Sequence, residues 1–457
     1  MTGNAPDHYI ANASLAKEPP RGFFSSLKFL GPGFILSASI VGSGELIATT
    51  TLGARAGFTA FWVILVSCLV KVAIQLEFGK HAILSAETPM TSFNKLPGPK
   101  IRKRGWALWS IFALTLLKIV QVGGMLGGTA IILTMLFPFF SVVQWAVAVA
   151  IVVALLIFGG WYKMIEKSSL VMIAFFTMLT FASLLVVNAT EYRISITDIL
   201  SGLTFNLPAS LVFIAIGAFG ITGVGSDEII AYNYWCLEKG YAAFTGRRGD
   251  DDDAAWRRRA KGWIKVMYVD AIAAMIIYTL VTAAFYLLGA AILHKQGLVP
   301  EGNQVIETLA VIYTQAFGNG IRTAYLLGAF FVLFSSVFAT LAAWSRLFSD
   351  IFGQFGWINF YNTAERKKVI ALLSWIFPAI WVIAFVFIKL PVFMILSGGV
   401  VGSAMLLIVV FAAIEFRRQR IKYFPSPITY EIAFWLSVAA IAATAAIGLM
   451  KVFQYDW

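Results

Sequence analysis

Two octapeptides carry the most unusual chemistry in this chain. Val41-Gly42-Ser43-Gly44-Glu45-Leu46-Ile47-Ala48 lies in the middle of the first long apolar segment, and Val224-Gly225-Ser226-Asp227-Glu228-Ile229-Ile230-Ala231 lies mid-segment 183 residues later. Six of the eight positions are identical. Each copy joins helix-weakening glycine to carboxylate and hydroxyl oxygens inside an apolar run. A carboxylate in lipid is costly, and irregular backbone at that depth survives only when buried in protein or lining a cavity. Paired interruptions in the two halves of a membrane chain point to a transporter's binding site. The candidate substrate-binding residues are Gly42, Ser43, Gly44 and Glu45 in the first copy, with Val224, Gly225, Ser226, Asp227 and Glu228 in the second.

The elements that must hold these residues are transmembrane helices. The 457 residues are 60% hydrophobic and 13% charged, with a mean hydropathy of +0.82. Apolar runs of about 20 residues recur along the chain, long enough to cross a bilayer. The first twenty-odd residues are polar and carry no cleavable signal, so the first span is expected to remain. We read eleven spans near 29–53, 58–81, 107–136, 141–159, 168–188, 209–235, 264–293, 323–347, 369–388, 391–415 and 429–450. With the N-terminus inside, 27 of the 35 Lys and Arg fall in inner segments and 6 in outer ones. That is the positive-inside bias, so the net charge of +12 is a topology signal and calls for no nucleic acid. The expected location is a bacterial-type inner membrane, with a cytoplasmic N-terminus and an extracytoplasmic C-terminus. Cys68 and Cys236 form no framework, and no cofactor is expected.

The two breaks are five crossings apart, an odd number, so the second copy runs opposite to the first. The expected architecture is an all-α inverted repeat with broken helices 1 and 6 facing each other across a cavity. It comprises a tail over 1–28, a first repeat over 29–208, a second over 209–417, and a loop with a peripheral helix over 418–457. Within the spans, Lys71 and Lys118 are expected to pair with Glu77 or another carboxylate. Gly123, Gly124, Gly127 and Gly128 are expected to bring helices close together, and Ser397-Gly398-Gly399 marks another flexible or closely packed point. Asp270 near the inner interface is expected to be a satisfied or hydrated residue. An amphipathic piece over 304–316 is expected on the outer surface. The Asp250 to Asp253 run beside arginines reads as a self-neutralising loop, with a regulatory cation site as the other reading.

This layout resembles the NRAMP divalent-metal transporters, which share the LeuT-type fold. The likeness covers nearly the whole chain, including the Gly31-Pro32-Gly33 entry to span 1. The motifs depart from the family. Gly42-Ser43-Gly44-Glu45 stands where typical members have Asp-Pro-Gly-Asn, and Val224-Gly225-Ser226 stands where they have Met-Pro-His. Val122 and Met125 stand where the acidic pair tied to proton movement belongs. The resemblance therefore implies a divergent member, nearer to a magnesium-transporting branch than to manganese or iron carriers. With no Met, His or Cys at the breaks, the ligands left are oxygens, with Glu45, Asp227 and Glu228 as candidate metal ligands. Hard oxygens suit Mg²⁺ ahead of Mn²⁺, and the glycines leave room for a partly hydrated ion. Without the span 3 acids the usual proton coupling is not expected. A divalent cation entering at 100 mV gains roughly 4–5 kcal/mol from the potential alone.

Two other readings compete. Glu45, Glu228, Ser43 and Ser226 also suit the capping of half-helix ends. In that case a LeuT-type carrier of an amino acid or another small organic or anionic solute is the better description. An intramembrane enzyme is disfavoured, because His8, His81 and His294 lie at span ends or in the tail and no nucleophile–base spacing appears.

Overall fold

The computed structural model describes residues 9, 15–159, 162–249, 253–421 and 424–454. His8 and Asp250 to Asp252 lie outside them. The first span is split in two. Helix α1 (Pro32–Ile40) starts on a proline at its first turn, where the missing N–H costs nothing. It ends at Val41, and after Gly42 and Ser43 the chain resumes as a π-helical turn over Gly44–Thr49 that runs into α2 (Thr50–Ala56). The sixth span is split in the same way. Helix α3 (Val212–Ile221) stops at Thr222, Gly223 takes a φ of +65°, and α4 (Ser226–Lys239) begins after Gly225. A left-handed backbone in mid-membrane is a position that glycine fills without strain.

Among the described residues, eight helices are long and apolar enough to cross a membrane. Helix α5 (Phe61–Ser85) and α6 (Trp106–Leu136, kinked at Lys118) lie between the two broken spans, together with the shorter apolar helix Val142–Phe158. Beyond the second break run α7 (Asp253–Leu288), α8 (Arg322–Phe355), α9 (Thr363–Ile388) and α10 (Pro391–Arg420). The last, α11 (Ile428–Gln454), is mostly exposed over Ile428–Ile447, as befits a peripheral helix facing lipid. Large exposed apolar side chains such as Leu185 and Phe387 form the outer face, whereas Trp263, Trp344 and Trp381 are fully buried.

The small residues do the packing work expected of them. A Cβ on Gly124 would lie 2.8 Å from Met394 Cβ and 2.9 Å from Pro391 O, and one on Gly123 would lie 2.9 Å from Trp381 O. These glycines thus seat α6 against α9 and α10. Gly399 meets the backbone of Gly217, so Ser397-Gly398-Gly399 is a close-packing point. The amphipathic outer piece is a helix, Val305–Phe317, whose Val305, Ile306, Leu309 and Tyr313 are buried, so one face packs into the protein.

Candidate functional site

The two breaks touch. A Cβ on Gly44 would sit 3.2 Å from Ile221 O, and the Thr49 and Thr222 hydroxyls are 3.0 Å apart. Glu45 crosses between the segments and is fully buried. Its carboxylate accepts from the Gly223 N–H at 3.3 Å, from the Thr282 hydroxyl on α7 at 3.2 Å, and loosely from the Gly42 N–H at 3.4 Å. Freed backbone donors at both breaks are therefore tied by one side chain. Glu45 makes contacts of the kind the competing capping reading describes, whereas Ser43 makes no side-chain cap.

Asp227 and Glu228 behave differently. They occupy the first turn of α4, at the positive end of its dipole. Both line a narrow cavity of about 30 Å³, room for about two waters. Its other polar or polarisable walls are Gln121 and Met125 from α6, Thr340 and Trp344 from α8, and Trp235 from α4. Asp227 Oδ2 pairs with Lys118 Nζ at 2.6 Å. Its other oxygen, Oδ1, is buried without a partner, and so are Gln121 Oε1 and the Trp344 indole N–H. A Cβ on Gly225 would lie 2.5 Å from Glu228 Oε2, so any larger residue there would push the carboxylate aside. Ser226 Oγ is also partnerless but faces Gly402, behind the cavity.

Of the nine candidate residues, Asp227 and Glu228 line the cavity, Glu45 and Ser226 are absent from its lining, and Gly42, Ser43, Gly44, Val224 and Gly225 form the breaks themselves. No group of three or more His, Cys, Asp and Glu comes together among the described residues. Sequence reasoning gave no role to Gln121, Thr340 or Trp344. A polar residue one turn beyond the buried Lys118 was the signal available for Gln121. Met125, read only as the replacement for an acid, supplies a thioether to the cavity wall.

The charged residues around the site find mixed partners. Lys118 pairs with a carboxylate as expected. Lys71 does not: its ammonium donates to the carbonyls of Phe219 and Thr222. Glu77 is held instead by Lys80, Arg420 and Tyr430. Asp270 accepts from the Gly31 and Gly33 N–H groups at 2.8 and 2.5 Å, capping the entry to α1. On the far side of the breaks, the Tyr286 hydroxyl bridges Gly57 O and the Ala60 N–H, and Arg55 pairs with Glu301. Asp253 is neutralised by Arg248 and Arg257.

Facing broken helices around a small polar cavity, inside a bundle of apolar spans, define a multi-pass membrane transporter of the LeuT-type fold. The model of the Nramp family, described as natural resistance-associated macrophage protein-like, matches residues 33–451, and the chain belongs to that family. A divalent metal cation transporter MntH of Xanthomonas campestris pv. campestris is 25% identical over 344 residues, 73% of this chain and 70% of that protein. Its namesake from Bradyrhizobium diazoefficiens is 24% identical, over 69% of this chain and 66% of that protein. Among solved structures, a point mutant of an Eremococcus coleocola manganese transporter superposes with a TM-score of 0.65 at 14% identity, covering 97% of this chain and 90% of that one. Mhp1, a nucleobase-cation-symport-1 family transporter, gives 0.56 at 14%, with 96% and 92% covered. Family membership makes the protein a transporter and not an enzyme.

Proposed function

We propose that the protein carries a divalent cation, Mg²⁺ ahead of Mn²⁺, by alternating access around the two broken helices. The observation that carries this reading is the cavity at the start of α4, where Asp227, Glu228 and Gln121 gather and two of their oxygens have no partner. Buried acceptors left unpaired are costly, and an arriving cation satisfies them. Carboxylate and amide oxygens are hard ligands, and the half-filled set leaves positions for retained water, to which the Trp344 N–H is one neighbour. The Met125 thioether lets a softer ion such as Mn²⁺ be tolerated. Glu45, on this reading, holds the breaks together through Gly223 and Thr282.

With Val122 and Met125 in the cavity wall where the resemblance puts acids, entry runs down the ion's own gradient and the membrane potential without the usual proton. The bias of Lys and Arg supports an inner membrane with the N-terminus inside. In proteoliposomes, Asp227→Asn and Glu228→Gln should each cut Mg²⁺ and Mn²⁺ uptake at least about tenfold, the scale of one charge-assisted contact. Retained uptake in both folded variants rejects the site. Metal entry should leave the lumen pH unchanged, and a clear proton signal contradicts uncoupled transport.

A second reading has one observation in its favour. An ammonium 2.6 Å from Asp227 is an unusual neighbour for a divalent cation and suits an amino acid or anion, which Lys118 would bind directly. The small cavity weighs against it. Transport of an amino acid with no movement of divalent ions would decide for it.

A further inference from the structure

The Lys71 ammonium sits at the C-terminal end of α3, where the helix stops in mid-membrane and its last carbonyls lose their intrahelical partners. It donates to Phe219 O and, at 2.7 Å, to Thr222 O, and it lies 4.7 Å from the centre of the Phe219 ring. The Ser67 hydroxyl, one turn earlier on α5, donates to the same two carbonyls at 3.0 and 2.9 Å. Lys71 is fully buried, and among the described residues no carboxylate lies within ion-pair distance of it. It is therefore neither half of a salt bridge nor a surface anchor.

Carbonyls freed at the C-terminal end of a half-helix, at the negative end of its dipole, are the type of site on which broken-helix transporters coordinate a monovalent cation. Here two carbonyl oxygens already hold one positive charge, delivered by the chain itself, and the Ser67 hydroxyl donates to the same two oxygens. We propose that Lys71 is a tethered cation occupying a monovalent-ion site at the α3 terminus, so that the second break is held in its folded geometry without sodium. An ammonium supplies its charge as donated hydrogen bonds, whereas a bare alkali ion would take the same oxygens as ligands, with Ser67 turning its lone pairs inward. The geometry is independent of which solute is carried, since Lys71 is not among the residues lining the cavity at Asp227 and Glu228.

The test replaces the side chain and asks whether sodium can take its place. Lys71→Ala opens space for an ion, while Lys71→Met removes the charge and keeps the space filled. Full-length wild type, Lys71→Ala and Lys71→Met are compared by thermal unfolding in matched NaCl, LiCl and choline chloride at about 100 mM, and by uptake in the same salts. The wild type should show the same midpoint and uptake in all three. Lys71→Ala should be destabilised and inactive in choline, regain roughly 2–4 °C or more in sodium, and recover sodium-dependent uptake. Lys71→Met should be destabilised in every salt with no recovery. The proposal is overturned by a wild type that needs sodium, by a Lys71→Ala protein indifferent to it, or by one that fails to fold in every salt. Because the thermal readout needs no cargo, it stands apart from the test of the divalent-cation reading.

Discussion

Replacing Lys118 by methionine separates stability from affinity at the cation site. Lys118 lies at the kink of α6, nearly fully buried, with its Nζ 2.6 Å from Asp227 Oδ2. Removing one partner of such a pair leaves a carboxylate without its counter-charge, a loss of about 3–5 kcal/mol. The N-terminal dipole of α4 offsets up to about 1–2 kcal/mol of that, since Asp227 sits in its first turn. The net loss of about 1–4 kcal/mol should lower the unfolding midpoint by about 1–4 °C, since a chain of this length has an unfolding entropy of about 1 kcal/mol/K. The effect on the ion has the opposite sign. A divalent cation about 5 Å from the ammonium is repelled by about 7 kcal/mol at an effective dielectric of about 20, an upper bound because the side chain swings away. If only a fifth of that is lifted, the dissociation constant falls about tenfold. Thermal-shift titration of Lys118→Met with Mn²⁺ and Mg²⁺ should therefore start from a lower midpoint and saturate at lower ion concentration than the wild type. Asp227→Asn added to Lys118→Met should recover stability and lose the tighter binding. A folded Lys118→Met protein that binds divalent ions no better than the wild type would refute the assignment of Asp227 as a cation ligand.

Two further substitutions probe the supports of the site. Glu45→Ala removes a buried acceptor from Gly223 and Thr282, and should lose about 2–4 kcal/mol of stability and most uptake, read by thermal unfolding and proteoliposome flux; full uptake would show that the tie between the breaks is dispensable. Gly33→Ala puts a Cβ 2.7 Å from Asp270 O and 2.8 Å from Asp270 Oδ2, and should cost about 1–3 kcal/mol and expose the start of α1 to proteolysis, with an unchanged digestion pattern as the contrary result.

Much of this protein is determined by local sequence. A glycine cluster within an apolar run weakens a helix wherever it occurs, so both broken spans could be placed from Gly42, Gly44 and Gly225 alone. Membrane class and the expected orientation follow from the lengths of apolar runs and the placement of Lys and Arg, which depend on no tertiary contact. The packing role of Gly123 and Gly124 is likewise a property of their spacing, and family membership was legible despite the altered motifs. The partners of buried charges were not, because they are chosen by the folded chain and not by neighbours in sequence. Glu45 and Glu228 stand at equivalent positions of the repeat, yet one bridges the breaks to α7 while the other lines a cavity with Gln121. Lys71 and Lys118 are both lone lysines in apolar spans, but one meets backbone carbonyls freed by a helix end and the other meets Asp227. In low dielectric each charge must be satisfied within a few ångströms, so its role depends on which element the fold brings alongside.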